Sequence, residues 1–486
     1  MKAYLFYACL LLAFASCTPR IAKTTEAVDA TNRVHIDLVN VVNDRVMVEM
    51  NPGAFLSESV NFYIPKTVPG TYSTDDYGRL IENVKAYNYD DEEISITKAE
   101  ENTWTIANAR NFDRLTYEVN DTYDIEGELE IFSPSGTNIN AGEDFMLNLH
   151  GFVGYFEGKI ELPYEIEVTK PDGFYMSSAM PVAAAIADTE DGGAVDRFMA
   201  TRYFQVIDNP IMVTKTAPSE FMVDDMRVVV DVYSPNGVFT AQQIQPNLER
   251  MMQAQKNYLG AINDTPLYAI LVYLSRFDGT DAQGFGALEH HTSTVVVLPE
   301  AMPEDYFNET MTDIVSHEFF HTLTPLNVHS EEIHFFDYNN PEMSQHLWMY
   351  EGVTEYFANH FQVHEELITP EQFYERLMGK IVNARTYNDE MPFTEMSQNV
   401  LDEPYKDEYI NVYEKGALIA MALDIRLREL SNGDMGVLDV MGKLSTMYGK
   451  EKPFKDDELI PAIVSITYPE IQTFFDTYVS GSTPIP

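Results

Sequence analysis

The chain has 486 residues, 45% of them apolar, which is enough for two or three domains with sizeable hydrophobic cores. It carries 31 basic against 77 acidic residues, and a chain with this net charge of -46 repels DNA, RNA and anionic lipid head groups. We therefore expect no nucleic-acid function and interpret the acidity as a means of solubility or adaptation to salt, with attraction of cationic peptides as a weaker alternative.

The N-terminus predicts export. Lys2 is followed by the apolar run AYLFYACLLLAFA, a small residue and Cys17, which is the pattern of a secretory signal. The run of 13 residues is too short to cross a bilayer, which takes roughly 18 to 20 apolar residues. The letters FASC resemble a bacterial lipobox, although Phe14 departs from the aliphatic residue that is usual there. We expect a signal peptide over 1–16, a lipid on Cys17 and a polar tether over 17–32.

Cysteine usage supports this anchor. Of the two cysteines, Cys9 lies within the predicted signal, so the mature chain would keep Cys17 alone and have no intrachain disulfide. The predicted location is a bacterial membrane, with the outer membrane favoured and either the periplasm or the cell surface as the side that the protein faces. Ordinary signal cleavage that leaves an unmodified cysteine is the alternative.

Short alternating runs fill the next part of the chain. Between Val34 and about Thr214 these runs are VHIDLVNV, RVMVEM, VNFYIP, EISITK, TWTIAN, LTYEVN and IELPYEIEVT, separated by Asn, Asp, Gly and Pro. This alternation predicts an N-terminal antiparallel β domain, which we assign to 33–218.

The pattern changes at about Val228. RVVVDVYS and YAILVYLS are typical of buried strands, the stretch between them is helical, and long helical patterns dominate after Pro303. The fold class is therefore α+β with several domains, and the second domain, over 219–486, has a mostly helical C-terminal half.

The stretch SHEFFHTLTP contains two histidines four residues apart, with a glutamate directly after the first. On a helix, His317 and His321 share a face and could coordinate one Zn2+ ion together. Glu318 lies beside that face, where it could accept a proton from an attacking water. Two polar residues on an ordinary helix are the alternative, although a chance match in a chain of this length occurs on the order of a few per cent of the time.

The helix that carries this motif has predicted ends. Thr310 and Asp313 fit a capping box at its start, and Pro325 is expected to stop it.

A catalytic zinc site needs a third protein ligand. Downstream, HLWMYEGVTEYFANHF predicts a second amphipathic helix, on which Glu351 and Glu355 lie one turn apart. An acidic residue that faces a core needs a partner, and a metal ion is one. We interpret Glu351 as the third ligand and Glu355 as the group that holds the far nitrogen of a ligand histidine; solvent exposure of both glutamates is the alternative.

Several motifs in order resemble one family. HEFFH, LWMYEGVTEYFA and VYEKGALIAMALDIRLR are similar to the catalytic region of the glycyl aminopeptidase family of gluzincin zinc metallopeptidases, which are relatives of aminopeptidase N. IPKTVPGTYSTDDYGRLI and RYFQVIDNPIMV are similar to the N-terminal domain of that family, so the resemblance covers nearly the whole mature chain. It implies a thermolysin-like catalytic domain, Zn2+ as cofactor, and peptides with a free N-terminal glycine or alanine as substrates.

The resemblance implies further roles. GALEHH resembles the exopeptidase loop of the aminopeptidase N relatives, so Glu289 would bind the free amine of the substrate, and Gly286 and Ala287 would contact the substrate. Tyr413, in VYEKG, would stabilise the oxyanion, for which a phenol hydroxyl is a suitable donor. Without the resemblance, Glu289 is a polar strand edge and Tyr413 is one of 29 tyrosines.

Some positions have other interpretations or depart from the family pattern. His290 and His291 are interpreted as substrate-pocket or structural groups rather than as metal ligands. Thr324 and Pro325 stand where family members often have Trp-Asn, which bears on the pocket walls and the glycine preference. The family's C-terminal PDZ-like domain would begin about where YVSGSTPIP ends the sequence, so that domain is either absent or cut off.

The leading hypothesis is a zinc-dependent aminopeptidase that is anchored to a lipid bilayer through Cys17. A zinc endopeptidase that does not anchor the amine is one alternative. A non-catalytic, lipid-anchored binding protein that has kept a peptidase fold is another.

Overall fold

The computed structural model describes residues 31–125, 131–186, 193–262 and 265–485. The predicted signal peptide, Cys17 and all but the last two residues of the predicted tether lie outside these ranges. No helix within the described ranges is long and apolar enough to cross a membrane.

The N-terminal half is built on a large, mostly antiparallel sheet. Its strands, in spatial order, are β14 (Val182–Ile186), β15 (Gly193–Ala200), β12 (Tyr164–Pro171), β1 (Asn32–Val42), β2 (Arg45–Asn51), β8 (Phe112–Asn120), β4 (Ile81–Asn88) and β5 (Glu93–Ile94). β1 and β12 pair in parallel, and the other neighbours pair in antiparallel fashion. Along β1 the buried residues alternate with more exposed ones, as the sequence pattern predicts for a strand with one face on a core.

Two smaller antiparallel sheets complete this half. One contains, in order, β13 (Tyr175–Ser177), β16 (Ile211–Thr214), β10 (Asp144–Leu147) and β9 (Asn138–Asn140). The other contains β11 (Tyr155–Phe156), β3 (Ser59–Tyr63), β7 (Thr103–Ala107) and β6 (Ile96–Glu100).

The second half begins with a five-stranded sheet that borders the functional cleft. Its order is β17 (Ser219–Val223), β18 (Met226–Tyr233), β19 (Leu267–Ser275), β21 (Ser293–Pro299) and β20 (Gly286–His290). β18, β19 and β21 are parallel and covered on both faces, which explains their continuous apolar sequences. β20 pairs with β21 in antiparallel fashion and forms one edge of the sheet.

Helices make up most of the remainder. Within the described ranges, the α-helices are α1 (Tyr203–Ile207), α2 (Ala241–Leu259), α3 (Glu304–Phe320), α4 (Glu331–His334), α5 (Thr354–His364), α6 (Pro370–Ala384), α7 (Phe393–Gln398), α8 (Asn411–Ser431), α9 (Val437–Met447), α10 (Leu459–Ile466) and α11 (Glu470–Tyr478). A π-helical turn, Trp348–Val353, leads directly into α5. Short 3-10 turns cover Tyr77–Leu80, Ala109–Asn111, Ser133–Ser135, Leu149–Gly151, Gly260–Ile262, Lys406–Glu408 and Asp456–Glu458. The predicted α+β organisation, with β sheets first and a mostly helical C-terminal half, is confirmed.

The predicted start of the motif helix is wrong. α3 begins at Glu304, directly after Pro303, and not at a capping box of Thr310 and Asp313. Pro303 cannot continue a helix towards the N-terminus, and acidic side chains in the first turn favour a start there. Asp313 lies mid-helix and accepts hydrogen bonds from Gln362 and Arg376 instead. The helix ends at Phe320, before the predicted stop.

Two glycines allow the π-helical turn and α8 to approach closely. A β-carbon at Gly352 would lie 2.6 Å from the carbonyl carbon and oxygen of Gly416. The backbone of the turn therefore lies directly against the backbone of α8, and this contact fixes the side chains on both elements relative to each other.

The Gly352→Ala variant should lower the free energy of unfolding by about 1 to 3 kcal/mol, because the added methyl group overlaps backbone that cannot move away easily. The matched control is Gly379→Ala in α6, where a β-carbon would meet no atom within 4 Å. Because alanine favours a helix, the control should be neutral or stabilising by up to about 1 kcal/mol. Urea unfolding of both variants measures the difference, and equal stability of the two would contradict the close contact.

Candidate active site

A cleft opens between the edge strand β20, helix α3, the π-helical turn, the start of α8 and a loop of the N-terminal half. Its lining includes residues that the sequence predicts for the active site, among them His317, Glu318, Glu351, Glu289 and Tyr413. Within the described part of the chain, these elements bring together side chains that are far apart in sequence, from Gly70 to Tyr413.

The two histidines lie at the C-terminal end of α3 and turn one nitrogen each towards Glu351. His317 Nε2 is 3.3 Å and His321 Nε2 is 3.6 Å from Glu351 Oε2. The three residues are 8%, 1% and 2% exposed, respectively. Ligand atoms at the corners of a tetrahedron around Zn2+, each about 2.0 to 2.2 Å from the ion, are separated by about 3.3 to 3.6 Å. Both distances to Glu351 Oε2 therefore fit a zinc ion, and all three ligand atoms lie within 4.8 Å of one another.

The other nitrogen of each histidine is already engaged. His317 Nδ1 is 2.7 Å from Glu355 Oε2, and His321 Nδ1 is 3.1 Å from the carbonyl oxygen of Thr324. Both are acceptors, so each Nδ1 donates its proton, and this leaves each Nε2 lone pair free to bind a cation. Glu355 itself accepts hydrogen bonds from Lys380 at 2.6 Å and Asn359 at 2.9 Å, which fixes its carboxylate.

The charges of this cluster are coupled. Burial opposes charge on His317, but its hydrogen bonds to Glu351 and Glu355 raise its pKa well above the usual value. Burial lowers the pKa of His321 to about 4. Burial would raise the pKa of Glu351, yet the two histidines hold it below its ordinary value. A proton on His317 and a metal ion are therefore alternative positive charges for the same carboxylate.

The N-terminal half also reaches this cluster. The hydroxyl of Tyr72 donates a hydrogen bond of 3.0 Å to Glu351 Oε1, the oxygen that does not face the histidines. Tyr72 has a φ of 48°, in the left-handed region that bulky residues rarely adopt. Its ring packs against that of Tyr409, with ring centroids 5.1 Å apart. Tyr72 lies in the segment IPKTVPGTYSTDDYGRLI, whose sequence predicts no role for this residue.

Glu318 lies beside the histidine pair and is 6% exposed. Its Oε2 atom is buried and has no hydrogen-bond partner among the described residues. Burial raises the pKa of Glu318 to about 8; the nearby His317 lowers it, and the carboxylates of Glu351 and Glu355 raise it further. This carboxylate is thus available to a group in the cleft.

Tyr413 lies in the first turn of α8, with its ring centroid 5.6 Å from that of His317. Its hydroxyl forms a hydrogen bond of 2.7 Å with the hydroxyl of Tyr409. Burial is the main cause that raises the pKa of Tyr413 well above its usual value, so the phenol keeps its proton and can donate it in a hydrogen bond.

Glu289 stands on the opposite wall, on the edge strand β20 that also carries Gly286 and Ala287. Its carboxylate lies within 4.8 Å of ligand atoms of Glu318 and His321. Burial and the neighbouring carboxylates Glu351 and Glu318 raise its pKa well above its ordinary value.

A glycine makes room for that carboxylate. A β-carbon at Gly70, which has a φ of 89°, would lie 2.8 Å from both carboxylate oxygens of Glu289. The loop around Gly70 therefore closes the cleft directly against Glu289. Gly70 lies in the motif PGTYS, and no local pattern in the sequence predicts its contact with Glu289.

His290 and His291 do not join the metal cluster. His291 Nδ1 is 3.0 Å and His290 Nδ1 is 3.7 Å from the carboxylate of Asp208. Both line a separate cavity, which shares Glu289 with the cleft. Thr324 and Pro325 are not among the described residues that line the cleft, but Pro325 lines the separate cavity.

Comparisons with known proteins agree with this arrangement. Residues 33–215 match the Peptidase M61 N-terminal domain, and residues 310–419 match M61 glycyl aminopeptidase, which together make up more than half of the chain. No curated protein sequence matches the chain.

Two solved structures show the same fold. The aminopeptidase N family protein from Idiomarina loihiensis has a TM-score of 0.79 at 19% identity, covering 94% of this chain and 77% of that chain. An M1 zinc metallopeptidase from Deinococcus radiodurans, a mutant bound to a Tyr-Ser-Ala substrate, has a TM-score of 0.59 at 13% identity, covering 94% of both chains. At these identities the likeness concerns the fold, and the predicted aminopeptidase-like fold is confirmed.

The Tyr72→Phe variant should bind zinc about 10- to 100-fold more weakly, because Glu351 loses the donor that fixes its second oxygen. The matched control is Tyr164→Phe, which removes a buried hydroxyl that has no partner among the described residues. Competition with a chromogenic chelator measures the affinity of each protein. A Tyr72→Phe affinity equal to that of the control would show that the tyrosine does not hold the ligand.

Proposed function

Because the chain belongs to the M61 glycyl aminopeptidase family, we propose that this peptidase is a zinc-dependent aminopeptidase that removes small N-terminal residues from peptides. The zinc ion is held by His317, His321 and Glu351. Glu318 is the general base. Tyr413 binds the carbonyl oxygen of the N-terminal residue, and Glu289 binds its amine. Peptides with a free N-terminus are the substrates.

One observation carries the proposal. Two histidine nitrogens and one carboxylate oxygen converge at 3.3 and 3.6 Å, and each histidine already donates its other N–H elsewhere. Three buried groups that face one another need a shared positive charge, and their nitrogen and oxygen chemistry suits zinc.

When bound there, zinc supplies Lewis-acid polarisation of the scissile carbonyl and a lower pKa for the attacking water. Glu318, whose Oε2 has no other described partner, accepts the proton of that water and passes it to the leaving amine. The Tyr413 hydroxyl donates a hydrogen bond to the carbonyl oxygen as that oxygen gains negative charge. Glu355 and Tyr72 form hydrogen bonds with the ligand residues His317 and Glu351, so they position the site.

The amine pocket supports an exopeptidase. The carboxylates of Glu289, Glu318 and Glu351 surround one end of the cleft, and their mutual repulsion is relieved by a positive charge. A substrate ammonium next to Glu289 supplies that charge. The loop at Gly70 lies directly behind Glu289, so little room remains for a chain that extends beyond the N-terminal residue.

The preference for glycine or alanine rests on the family. The short reach from Glu289 to the atoms of His321 and Glu318, all within 4.8 Å, is compatible with one residue between the amine pocket and the reacting carbonyl. Hydrolysis rates for a series of dipeptides that start with Gly, Ala, Leu or Phe would test this preference.

Two other functions remain as alternatives. A zinc endopeptidase would cleave N-acetylated peptides as readily as free ones, and a non-catalytic binding protein would bind peptides without turning them over. The lipid anchor on Cys17 and export to a bacterial membrane are proposals from the sequence alone, which fractionation of wild type and the Cys17→Ser variant would test.

The Glu318→Gln variant should keep its zinc and lose about 10²- to 10⁴-fold in kcat, because the amide has the same shape but cannot accept the proton. The matched control, Glu309→Gln, changes an exposed glutamate on the same helix and should leave kcat unchanged. Metal analysis and peptide turnover are measured on the same samples. Removing zinc with a chelator should abolish turnover in wild type, and adding it back should restore turnover. If Glu318→Gln retains kcat within about tenfold, another group is the base.

The Glu289→Gln variant should lose about 10- to 100-fold in kcat/KM for peptides with a free N-terminus, since the ammonium loses its charged partner. The loss is smaller than for a fully buried pair because Glu289 is partly exposed. Its zinc content should not change, and N-acetylated peptides should be poor substrates for both proteins. Equal cleavage of acetylated and free peptides by wild type would favour the endopeptidase.

A further inference from the structure

A second group of acidic side chains lies away from the cleft. Asp44 is in the turn between β1 and β2, and Asp121 and Asp124 follow the end of β8. β2 and β8 are paired so that Arg45 is opposite Asn120, which places Asp44 and Asp121 at the same end of the large sheet. The three carboxylates have oxygens within 4.8 Å of one another, and none of the three residues lines the cleft.

Asp121 is the buried member of this group, at 1% exposure. One of its oxygens, Oδ2, accepts a hydrogen bond of 2.7 Å from the backbone N–H of Ile139. The other, Oδ1, is buried and has no hydrogen-bond partner among the described residues. A buried carboxylate oxygen without a donor is costly, so this atom points to a ligand that the protein itself does not supply.

The surrounding side chains neutralise the group only in part, since the charge of Arg45 favours the ionised form of Asp44 alone. The carboxylate of Asp124 is within hydrogen-bonding reach of both Asp44 and Asp121, so acceptors face acceptors. Arg45, the nearest base in sequence, is 2.9 Å from Glu82 and donates to the carbonyl oxygen of Asn43. In the described ranges, none of the three aspartates forms an ion pair with a basic side chain.

We propose that Asp44, Asp121 and Asp124 bind one Ca2+ ion. The donors are all carboxylate oxygens, which suit a hard cation and not the nitrogen and oxygen set that favours zinc at the other site. Asp44 and Asp124 are exposed, so water can complete the six to eight oxygens that Ca2+ takes. Three protein ligands in an open site correspond to the weak end of the range, with a Kd on the order of 10⁻⁴ to 10⁻³ M.

The ion would act as a cross-link. It would tie the β1–β2 turn to the chain that leaves β8, and through the Asp121 hydrogen bond to β9. Calcium should therefore stabilise the N-terminal half without entering the reaction.

The test uses the zinc-loaded full chain, titrated with CaCl2 in a calorimeter and melted with and without 10 mM CaCl2. Wild type should bind one Ca2+ per chain, and its Tm should rise by roughly 2 °C or more. Asp121→Asn and Asp124→Asn should bind at least tenfold more weakly and show no calcium-dependent rise, yet they should melt no lower than wild type when calcium is absent. The Tm without calcium should not fall, because each substitution removes a negative charge that the other carboxylates repel. If the aspartate had only a structural role, its replacement by asparagine would lower the Tm. The matched control is Asp90→Asn, an exposed aspartate of a turn in the same half, which should behave as wild type.

Three outcomes would overturn the proposal. Wild type that shows no calorimetric binding at millimolar calcium has no such site. A calcium-dependent rise that persists in Asp124→Asn reports ions elsewhere on the acidic surface. Stabilisation of wild type by acid alone, without a response to calcium, would mean that the carboxylates share a proton.

Discussion

Buried negative charge that must be matched by a cation is the constraint on which the rest of this structure depends. Glu351 is 2% exposed and sits between two histidines, with Glu318 and Glu289 close by. Carboxylates in such surroundings are stable only when positive charge or donors face them. The protein provides donors to the outer oxygens, from Tyr72 to Glu351 and from Lys380 to Glu355, and leaves the inner atoms for an ion and a substrate.

Close backbone contacts at glycines hold the charged side chains of the cleft in place. The contact of Gly352 with Gly416 sets Glu351 and Tyr413 on adjoining elements, and Gly70 lets a loop of the N-terminal half touch Glu289. The cleft is therefore a product of both halves of the chain. A shared hydrophobic core, which includes residues from Val34 to Val479, supports the same conclusion.

The sequence predicts the parts of the site that are local and misses the parts that are not. The spacing of His317 and His321 is a property of one helix, so it is readable directly, and Glu351 follows from a second helical segment and the family resemblance. Tyr72, Gly70 and Lys380 act through contacts with distant residues, and no local pattern marks such contacts.

The errors have physical causes as well. The Thr310 and Asp313 pattern fits a capping box, but the same spacing occurs within helices, and here Asp313 binds Arg376. The acidic group of Asp44, Asp121 and Asp124 escaped notice because strand pairing, not sequence distance, brings it together. The α+β organisation was predictable because strand alternation and helical periodicity are both local signals.

The hydrogen bond from Tyr72 to Glu351 joins residues 279 positions apart. A contact of that span forms only when the β sheets and the helical half have both folded and docked, since loop closure must precede it. The orientation of Glu351, the proposed zinc ligand, is therefore completed late in folding. A nascent chain would carry both histidines yet lack the oriented third ligand of the proposed site, so it would hold zinc weakly. On the proposed function, metal retention would report that folding has finished, and peptide hydrolysis would be withheld until that point.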